Sequence, residues 1–88
     1  MAATVTAVGN TWTQVAADIT AVTILQCVAT GNAEIEILAA GTTPGSTDHG
    51  IRMNERDTLG STQLGDVGSS GKIYARRLVG SDVKAIVL

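Results

Sequence analysis

The chain has 88 residues, 44% of them hydrophobic, and a formal net charge of -2. This length predicts a single domain spanning residues 1–88 with a small core, since such a chain buries only about 60 to 65% of its unfolded surface. The acidic balance excludes a general nucleic-acid binder, which needs a basic stripe, and the short apolar runs exclude a membrane-spanning helix of about 20 residues.

Short segments rich in Val, Ile and Thr, separated by Gly, Asn, Ser and Asp, predict strands in the first half of the chain. No segment shows a sustained helical stripe. The first two predicted strands are expected to pair as a hairpin through Gly9-Asn10, and the next two through residues 29–32. These four strands are predicted at residues 4–8, 11–16, 21–28 and 33–39.

The second half continues the same pattern after a Gly-, Thr-, Pro- and Ser-containing loop at residues 40–50. The last two predicted strands turn back on each other through residues 79–82. Because residues 60–71 are rich in glycine and serine, we expect a long flexible loop or arm there. Strands are predicted near residues 50–53, 58–59, 72–78 and 83–88.

Side-chain alternation predicts which face of each strand is buried. In 33–39 every second residue is apolar and is expected to face the core, while Glu34 and Glu36 are expected to face water. Segments 21–28 and 83–88 are apolar on both sides, as in a strand that either is central in a two-sheet sandwich near a covering loop or lies at an oligomer interface. The fold class is therefore all-β, a small antiparallel β-sandwich or jelly-roll-like barrel of about six to eight short strands.

The predicted core is poor in large side chains. The chain has no Phe, one Trp (Trp12) and one Tyr (Tyr74). Each buried aromatic side chain removes roughly 150 to 250 Å² from water, so this core lacks much of that contribution. With one cysteine and no evident metal site, oligomerisation or docking is the expected source of further stability. The sequence thus predicts a protein partner, either further copies of the chain in a homo-oligomer or a larger protein.

Charge is divided along the chain. Every lysine and arginine lies after residue 51, and the first half carries only acidic side chains as charges. We expect the folded unit to present two unlike faces, which suits contact with copies of itself or with a larger partner. The acidic residues of the first half are Asp18, Glu34, Glu36 and Asp48.

Sequence motifs for chemistry are weak. Residues 65–72 resemble a phosphate-binding loop, but the glycine spacing is wrong, Ile73 replaces the required Ser or Thr, and a strand follows. Any nucleophilic site would need the single histidine, His49, with Cys27 or a serine as nucleophile and Asp48 as orienting residue. Cys27 lies within an apolar strand, however, where a cysteine is usually a small buried hydrophobe.

Four polar side chains between residues 48 and 57 are candidates for a cation site. They match no calcium-loop spacing and supply no His and Cys set for zinc, so a solvated loop is the preferred interpretation. We therefore expect no metal, no cofactor and no enzymatic activity. These side chains are Asp48, His49, Glu55 and Asp57.

Five residues are candidates for partner contacts: Trp12, Arg52, Arg56, Arg76 and Arg77. Trp12 is expected to be either a core anchor, a contact hot spot or a platform for stacking a sugar. Arg76 and Arg77 are adjacent in a strand and must point to opposite faces. Arg77 is expected either to bind a partner carboxylate or to lie at a sheet edge, where its charge discourages aggregation.

Several segments together resemble small β-sandwich virion proteins of tailed bacteriophages. The resemblance covers most of the chain and is carried by a strand tryptophan, a central apolar strand, a Thr-Pro-Gly loop and an aromatic-containing late strand that ends in arginine. No residue-level binding motif transfers from that class. The segments are Thr11-Trp12-Thr13-Gln14-Val15, Val22-Thr23-Ile24-Leu25-Gln26-Cys27, Thr43-Pro44-Gly45 and Gly71-Lys72-Ile73-Tyr74-Ala75-Arg76.

The resemblance implies a capsid decoration or cement protein, a head fibre or a tail accessory, often assembled as a dimer or trimer. The leading hypothesis is a cement protein, made in the host cytoplasm, that binds the outer surface of a phage head and bridges neighbouring major capsid protein subunits. The loop at 60–71 and the amino-terminal residues would reach across subunit boundaries. The alternative hypothesis is a tail-fibre module that binds a host-surface glycan.

Overall fold

The computed structural model describes residues 3–88 and contains eight strands, one α-helix and one short 3-10 helix. The α-helix, α1, spans Ser61–Val67, and the 3-10 turn spans Ile19–Ala21. The strands are β1 (Thr4–Val8), β2 (Thr13–Ala16), β3 (Leu25–Ala29), β4 (Ala33–Ala40), β5 (Ile51–Asn54), β6 (Thr58–Leu59), β7 (Lys72–Gly80) and β8 (Val83–Val87).

The strands form two four-stranded antiparallel sheets. Sheet 1 has the order β1-β8-β3-β6 and sheet 2 the order β2-β7-β4-β5. The pairs β1 with β8, β2 with β7, β3 with β6 and β4 with β5 follow from one long hairpin folded over on itself, and this is the strand order of an eight-stranded jelly roll. The predicted all-β sandwich is confirmed.

The predicted local hairpins are wrong. The connections through Gly9-Asn10 and through residues 29–32 each carry the chain from one sheet to the other, and the turn at 79–82 does the same. Turn-forming residues require the chain to reverse, but they do not determine whether the next strand joins the same sheet. Among strands that follow one another in the chain, only β4 and β5 are neighbours in a sheet.

The core lies between the two sheets and is aliphatic. Leu25 and Cys27 from sheet 1 face Ile35, Ile37 and Ile73 from sheet 2, and all five are at most 1% exposed. Each buried Leu or Ile contributes about 1.5 to 3 kcal/mol relative to an exposed side chain.

A helix occupies most of the segment predicted to be a loop. In α1, Leu64 is 2% exposed and belongs to the core, and Val67 packs against the same cluster one turn later. At its start the Gly60 N–H donates to the Gln63 side chain at 3.1 Å, and at its end the Gly68 N–H donates to the Leu64 carbonyl at 3.1 Å. Two apolar residues were too few to reveal a helical period.

The predicted strand at 21–28 is shorter than expected. Strand β3 begins only at Leu25, and Ala21, the first residue of the predicted segment, ends the 3-10 turn, at whose start the Asp18 carboxylate accepts hydrogen bonds from the Thr20 N–H at 2.9 Å and from the Thr20 hydroxyl at 2.7 Å. Ile19 is buried by this turn, so its side chain fills the core without strand geometry. None of the helices within residues 3–88 has the length and apolar character needed to cross a membrane.

Candidate partner-binding surfaces

The five contact candidates lie in four separate places. Trp12 and Arg76 lie together beneath the loop formed by residues 41–50, on the outer face of sheet 2. Arg52 lies on β5 of the same sheet, Arg56 in the turn between β5 and β6, and Arg77 at the end of the sandwich. No single surface therefore gathers them.

Arg76 holds the 41–50 loop against sheet 2. Its Nε donates to Glu36 Oε2 at 2.9 Å, its Nη1 to the Ser46 carbonyl at 2.9 Å and its Nη2 to the Asp48 carbonyl at 2.7 Å. The Arg76 and Glu36 side chains are only 10% and 1% exposed. A buried guanidinium that satisfies one carboxylate and two carbonyls is a rigid anchor for the loop.

The prediction that Glu36 faces water is wrong, because the 41–50 loop returns over it. Its Oε1 accepts a hydrogen bond from the Gly50 N–H at 2.6 Å, and His49 Nδ1 lies 3.2 Å from the same oxygen. Desolvation raises the pKa of Glu36, but the Gly50 N–H, the Arg76 hydrogen bond and charge, and the His49 contact together lower it below its ordinary value. Glu36 is thus a buried carboxylate kept ionised by its partners.

Trp12 completes this loop anchor. The Arg76 guanidinium carbon lies 4.5 Å from the centre of the indole ring, within the range of a cation–π interaction. The indole Nε1 donates to the Gly45 carbonyl at 3.0 Å, and Trp12 is 9% exposed. Tyr74, on the same strand as Arg76, is 3% exposed. Both aromatic residues are therefore buried in the fold.

The remaining arginines make surface contacts. Arg52 Nη1 lies 3.1 Å from Glu34 Oε1, and Arg77 Nη1 lies 3.0 Å from Asp82 Oδ1. Exposed pairs of this kind contribute at most about 1 kcal/mol each. Arg56 has a positive φ of 72° in the turn after β5. As predicted, Arg76 and Arg77 point to opposite sides of sheet 2.

The division of charge along the chain does not become a division between faces. Strand β4, from the acidic half, lies between β5 and β7, which carry arginines from the basic half. Glu34 consequently pairs with Arg52 across one edge of β4, and Glu36 with Arg76 across the other. The two halves neutralise each other within sheet 2.

The residues weighed for catalysis lie far apart in the fold. Cys27 is a core residue of sheet 1 with no exposed surface, and burial raises its pKa to about 11. His49 lies on the far side of sheet 2, where its ring contacts Glu36. These two side chains therefore form no nucleophile and base pair.

The three acidic candidates for cation ligands instead accept hydrogen bonds from backbone amides, each from a different residue. Within residues 3–88, no group of three His, Cys, Asp or Glu side chains is placed to hold a metal ion. The hydrogen bonds run to Asp48 from Gly45 at 2.7 Å, to Glu55 from Ala33 at 3.0 Å and to Asp57 from Asn54 at 2.8 Å.

The outer face of sheet 1 differs sharply from that of sheet 2. Its residues are all exposed or half-buried, and Lys84 is the one charged side chain among them. On sheet 2, by contrast, the 41–50 loop covers polar and charged residues. The sheet 1 outer face consists of Val5, Ala7, Ile24, Gln26, Val28, Thr58, Lys84, Ile86 and Leu88.

The register places the apolar members of this face side by side. Val5 pairs with Ile86, and Ile86 pairs with Gln26 on the next strand. Ile24 and Leu88 exchange two backbone hydrogen bonds, at 3.1 and 2.9 Å, and each is 38% exposed. Val5 is 57% exposed. An apolar sheet face left in contact with water is typical of a protein-binding surface.

The sequence pattern indicates this apolar face, although none of the five contact candidates lies on it. Segments 21–28 and 83–88 are apolar on both sides, and they become β3 and β8, the two central strands of sheet 1. Of the two alternatives left open for such strands, a covering loop and an interface, the exposure of the outer face favours an interface.

An open cleft of about 660 Å³ lies at one end of the sandwich. Val8, Val28 and Val83 form apolar walls. The charged side chains that line the cleft are Arg77, Asp82 and Lys84. No aromatic side chain lines it. The cleft therefore lacks the ring surface on which a sugar would stack.

Comparison with known proteins yields no relative: no family model, no curated protein and no solved structure matches this chain. The resemblance to phage virion proteins therefore stays a prediction from the residues, and the jelly-roll fold rests on the strand order alone.

Proposed function

We propose that this protein is a non-enzymatic structural protein of a phage virion, a capsid decoration or cement protein that binds the major capsid protein on the outer surface of the head. The observation that supports this proposal is the sheet 1 outer face, which is largely apolar, carries one charge and is covered by no loop among residues 3–88. A rigid sandwich with one apolar side is suited to dock flat on a larger protein surface.

The area of the sheet 1 outer face limits how tightly one copy can bind. A four-stranded face of this length covers about 20 by 17 Å, or roughly 300 to 350 Å². A stable interface buries about 800 Å² on each partner. A single copy offering this face alone therefore binds weakly, and firm attachment requires that several copies or several contacts act together.

Attachment of this kind stabilises a capsid by linkage. A protein that binds the assembled shell more tightly than its free subunits shifts the equilibrium toward the shell. The sandwich itself need not change shape, because its core and the anchored 41–50 loop form a rigid unit. Residues 61–67 are helical and contribute Leu64 to the core, so the proposal assigns the contact to the sheet 1 outer face and not to a reaching arm at 60–71.

The direct test is the composition of particles. Mass spectrometry of purified virions from the phage that encodes this chain should detect the polypeptide in a fixed ratio to the major capsid protein. Shells lacking the protein should bind it when it is added back, and they should then resist heating better. Absence of the polypeptide from purified particles would refute the proposal.

The binding face is tested by Ile24→Lys, which adds charge at a 38% exposed position of the sheet 1 outer face. We expect at least about a tenfold loss of co-sedimentation with shells, because a desolvated unpaired lysine is costly at an apolar interface. The control is Val79→Lys, at a 59% exposed position of β7 in sheet 2. Equal binding by both variants would show that another surface makes the contact.

The alternative function, glycan binding in a tail fibre, has less support in the fold. Its usual signature is an exposed aromatic ring, and the chain's two rings belong to Trp12 and Tyr74, both buried. Saturable binding of the isolated protein to a sugar array, with no binding to shells, would favour that function instead.

A further inference from the structure

We propose that two copies of this chain pair through the outer edge of β1, forming a twofold-symmetric dimer in which the two sheet 1 units become one eight-stranded sheet. The sandwich has four edge strands: β1 and β6 in sheet 1, and β2 and β5 in sheet 2. Each exposed edge presents unpaired backbone N–H and C=O groups to any strand of suitable geometry.

Three of the four edges carry features that discourage pairing. Strand β6 has only two residues, β2 is interrupted by a register shift between Gln14 and Ala16, and β5 carries Arg52. Strand β1 has none of these features. Its sequence, Thr-Val-Thr-Ala-Val, has no charge, no proline and no glycine, and its register with β8 is continuous over five residues.

The occupant that fits this edge is a second copy of the same strand. An antiparallel pairing about a twofold axis at Thr6 matches all five residues of β1 with the five of the copy. Thr6 then lies opposite Thr6, and Val5 opposite Ala7, with the outward-facing residues of both copies on one side. No like charges meet, whereas self-pairing of β5 about Arg52 would oppose two guanidinium groups.

The dimer would also enlarge the surface available for docking on a capsid. This inference rests on the proposed function. Twofold pairing at β1 places the two sheet 1 outer faces side by side, because the axis runs perpendicular to the sheet. The continuous apolar surface doubles to roughly 600 to 700 Å² of flat area, near the 800 Å² per partner of a standard interface. One dimer would thus engage a shell far more firmly than one chain.

The edge contact itself is small, so the dimer should depend on concentration. Five paired residues bury much less than a standard interface. Sedimentation velocity of the full chain from about 1 µM to about 1 mM should show a monomer converting to a dimer. A monomer throughout this range, or a trimer, would overturn the proposal.

Cross-linking tests the register. Thr6→Cys places two thiols directly opposite each other at about 4.5 to 5.5 Å between Cβ atoms, close enough for a disulfide after small adjustment. Val5→Cys is the matched control, since its copy lies diagonally at about 7 to 8 Å. Cys27 is fully buried and does not compete. Mild oxidation should link the Thr6→Cys variant at least about tenfold faster, and equal linking would contradict the axis at Thr6.

A charge at the edge tests the contact in solution. Val5→Lys should weaken dimerisation at least about tenfold, because an edge lysine opposes strand pairing. Val79→Lys makes the same change at a valine of equal exposure, 59% against 57%, and should leave dimerisation unchanged. If the protein dimerises but does not bind capsids, the proposed function is refuted and the dimer inference stands. If it binds capsids as a monomer, the dimer inference is refuted and the proposed function stands.

Discussion

At the scale of single residues, the most consequential contact is the buried ion pair between Glu36 and Arg76. Both side chains are nearly inaccessible, and each also binds the backbone of the 41–50 loop. Burial of two charges is costly, so the pair stabilises the fold only because its hydrogen bonds are complete. Loss of either partner leaves a buried charge without compensation.

The first prediction concerns the free energy of unfolding of three variants. Glu36→Leu and Arg76→Met should each lower it by about 3 to 5 kcal/mol, while the double variant should lose less than the sum of the two. Urea titrations followed by circular dichroism measure these differences. As a control, Arg52→Met breaks an exposed ion pair and should change stability by no more than about 1 kcal/mol. Additive losses in the double variant would argue against a coupled pair.

The second prediction concerns acid. The pKa of Glu36 is lowered in the folded state, so its contribution is fully present above the unfolded value of about 4.5 and is lost as the pH falls through the folded pKa. Asp18 and Glu55 also have lowered pKa values and add to the same trend. Urea unfolding between pH 7 and pH 3 should show a decline that is shallower in the Glu36→Leu, Arg76→Met double variant. An unchanged slope would contradict this assignment.

Sequence reasoning placed Glu36 in water because strand alternation is a local rule. Alternation correctly put Glu36 opposite the core, but it carries no information about a loop that later folds over the outer face. Arg76, which binds Glu36, is 40 residues away in the chain. The pair becomes visible only when β4 and β7 are known to be neighbours.

At the scale of elements, two glycines show opposite demands on the backbone. Gly65 lies in the exposed middle of α1, where an added Cβ meets open space. Gly80 has a φ of +104°, and an added Cβ would lie 2.6 Å from Ala33 Cα. The first position has helical geometry that alanine prefers, and the second has a geometry that L side chains rarely adopt.

The third prediction follows from this contrast. Gly65→Ala should raise the free energy of unfolding by about 0.5 to 1 kcal/mol, because alanine restricts the unfolded chain and favours the helix. Gly80→Ala should lower it by more than about 1 kcal/mol, because the backbone must shift. Thermal and urea unfolding of both variants beside the parent give the values. Destabilisation by Gly65→Ala would mean that α1 is not helical in solution.

Positions of the strands were predictable, and their partners were not. Short apolar and Thr-containing segments between turn-forming residues predicted strands within a few residues of the eight observed ones. The turn at 29–32 looked like a hairpin, yet β3 and β4 lie in opposite sheets, since a reversal of the chain is compatible with either arrangement. The helix α1 was not predictable because Leu64 and Val67 are its only apolar residues, too few to show a helical period.

At the scale of the whole molecule, the topology is dominated by contacts between distant parts of the chain. Thr4 pairs with Val87, and β2 pairs with β7. The chain must lose the conformational entropy of closing these long loops before the stabilising contacts form. A protein with this topology therefore folds slowly for its size. Composition and alternation gave the fold class, but the long-range order of strands had to come from the structure.

The fourth prediction is a refolding time of milliseconds to seconds at 25 °C, as for other small sheet proteins with non-local pairing. Stopped-flow fluorescence measures it directly, because Trp12 is the single tryptophan and lies sealed beneath the 41–50 loop. Refolding within microseconds would be inconsistent with this strand order.

The central place of β8 in sheet 1 bears on how the chain matures on the ribosome. Strands β1 and β3 leave the exit tunnel early, yet within the described residues β1 pairs only with Val83–Val87, and β3 pairs with that segment over five residues and with β6 over two. Until that segment emerges, β1 has no partner strand and β3 has only the two residues of β6, so nascent chains on crowded polysomes are exposed to mispairing with one another. Slow translation should therefore lower the soluble yield, and a chaperone that shields nascent strands should restore it.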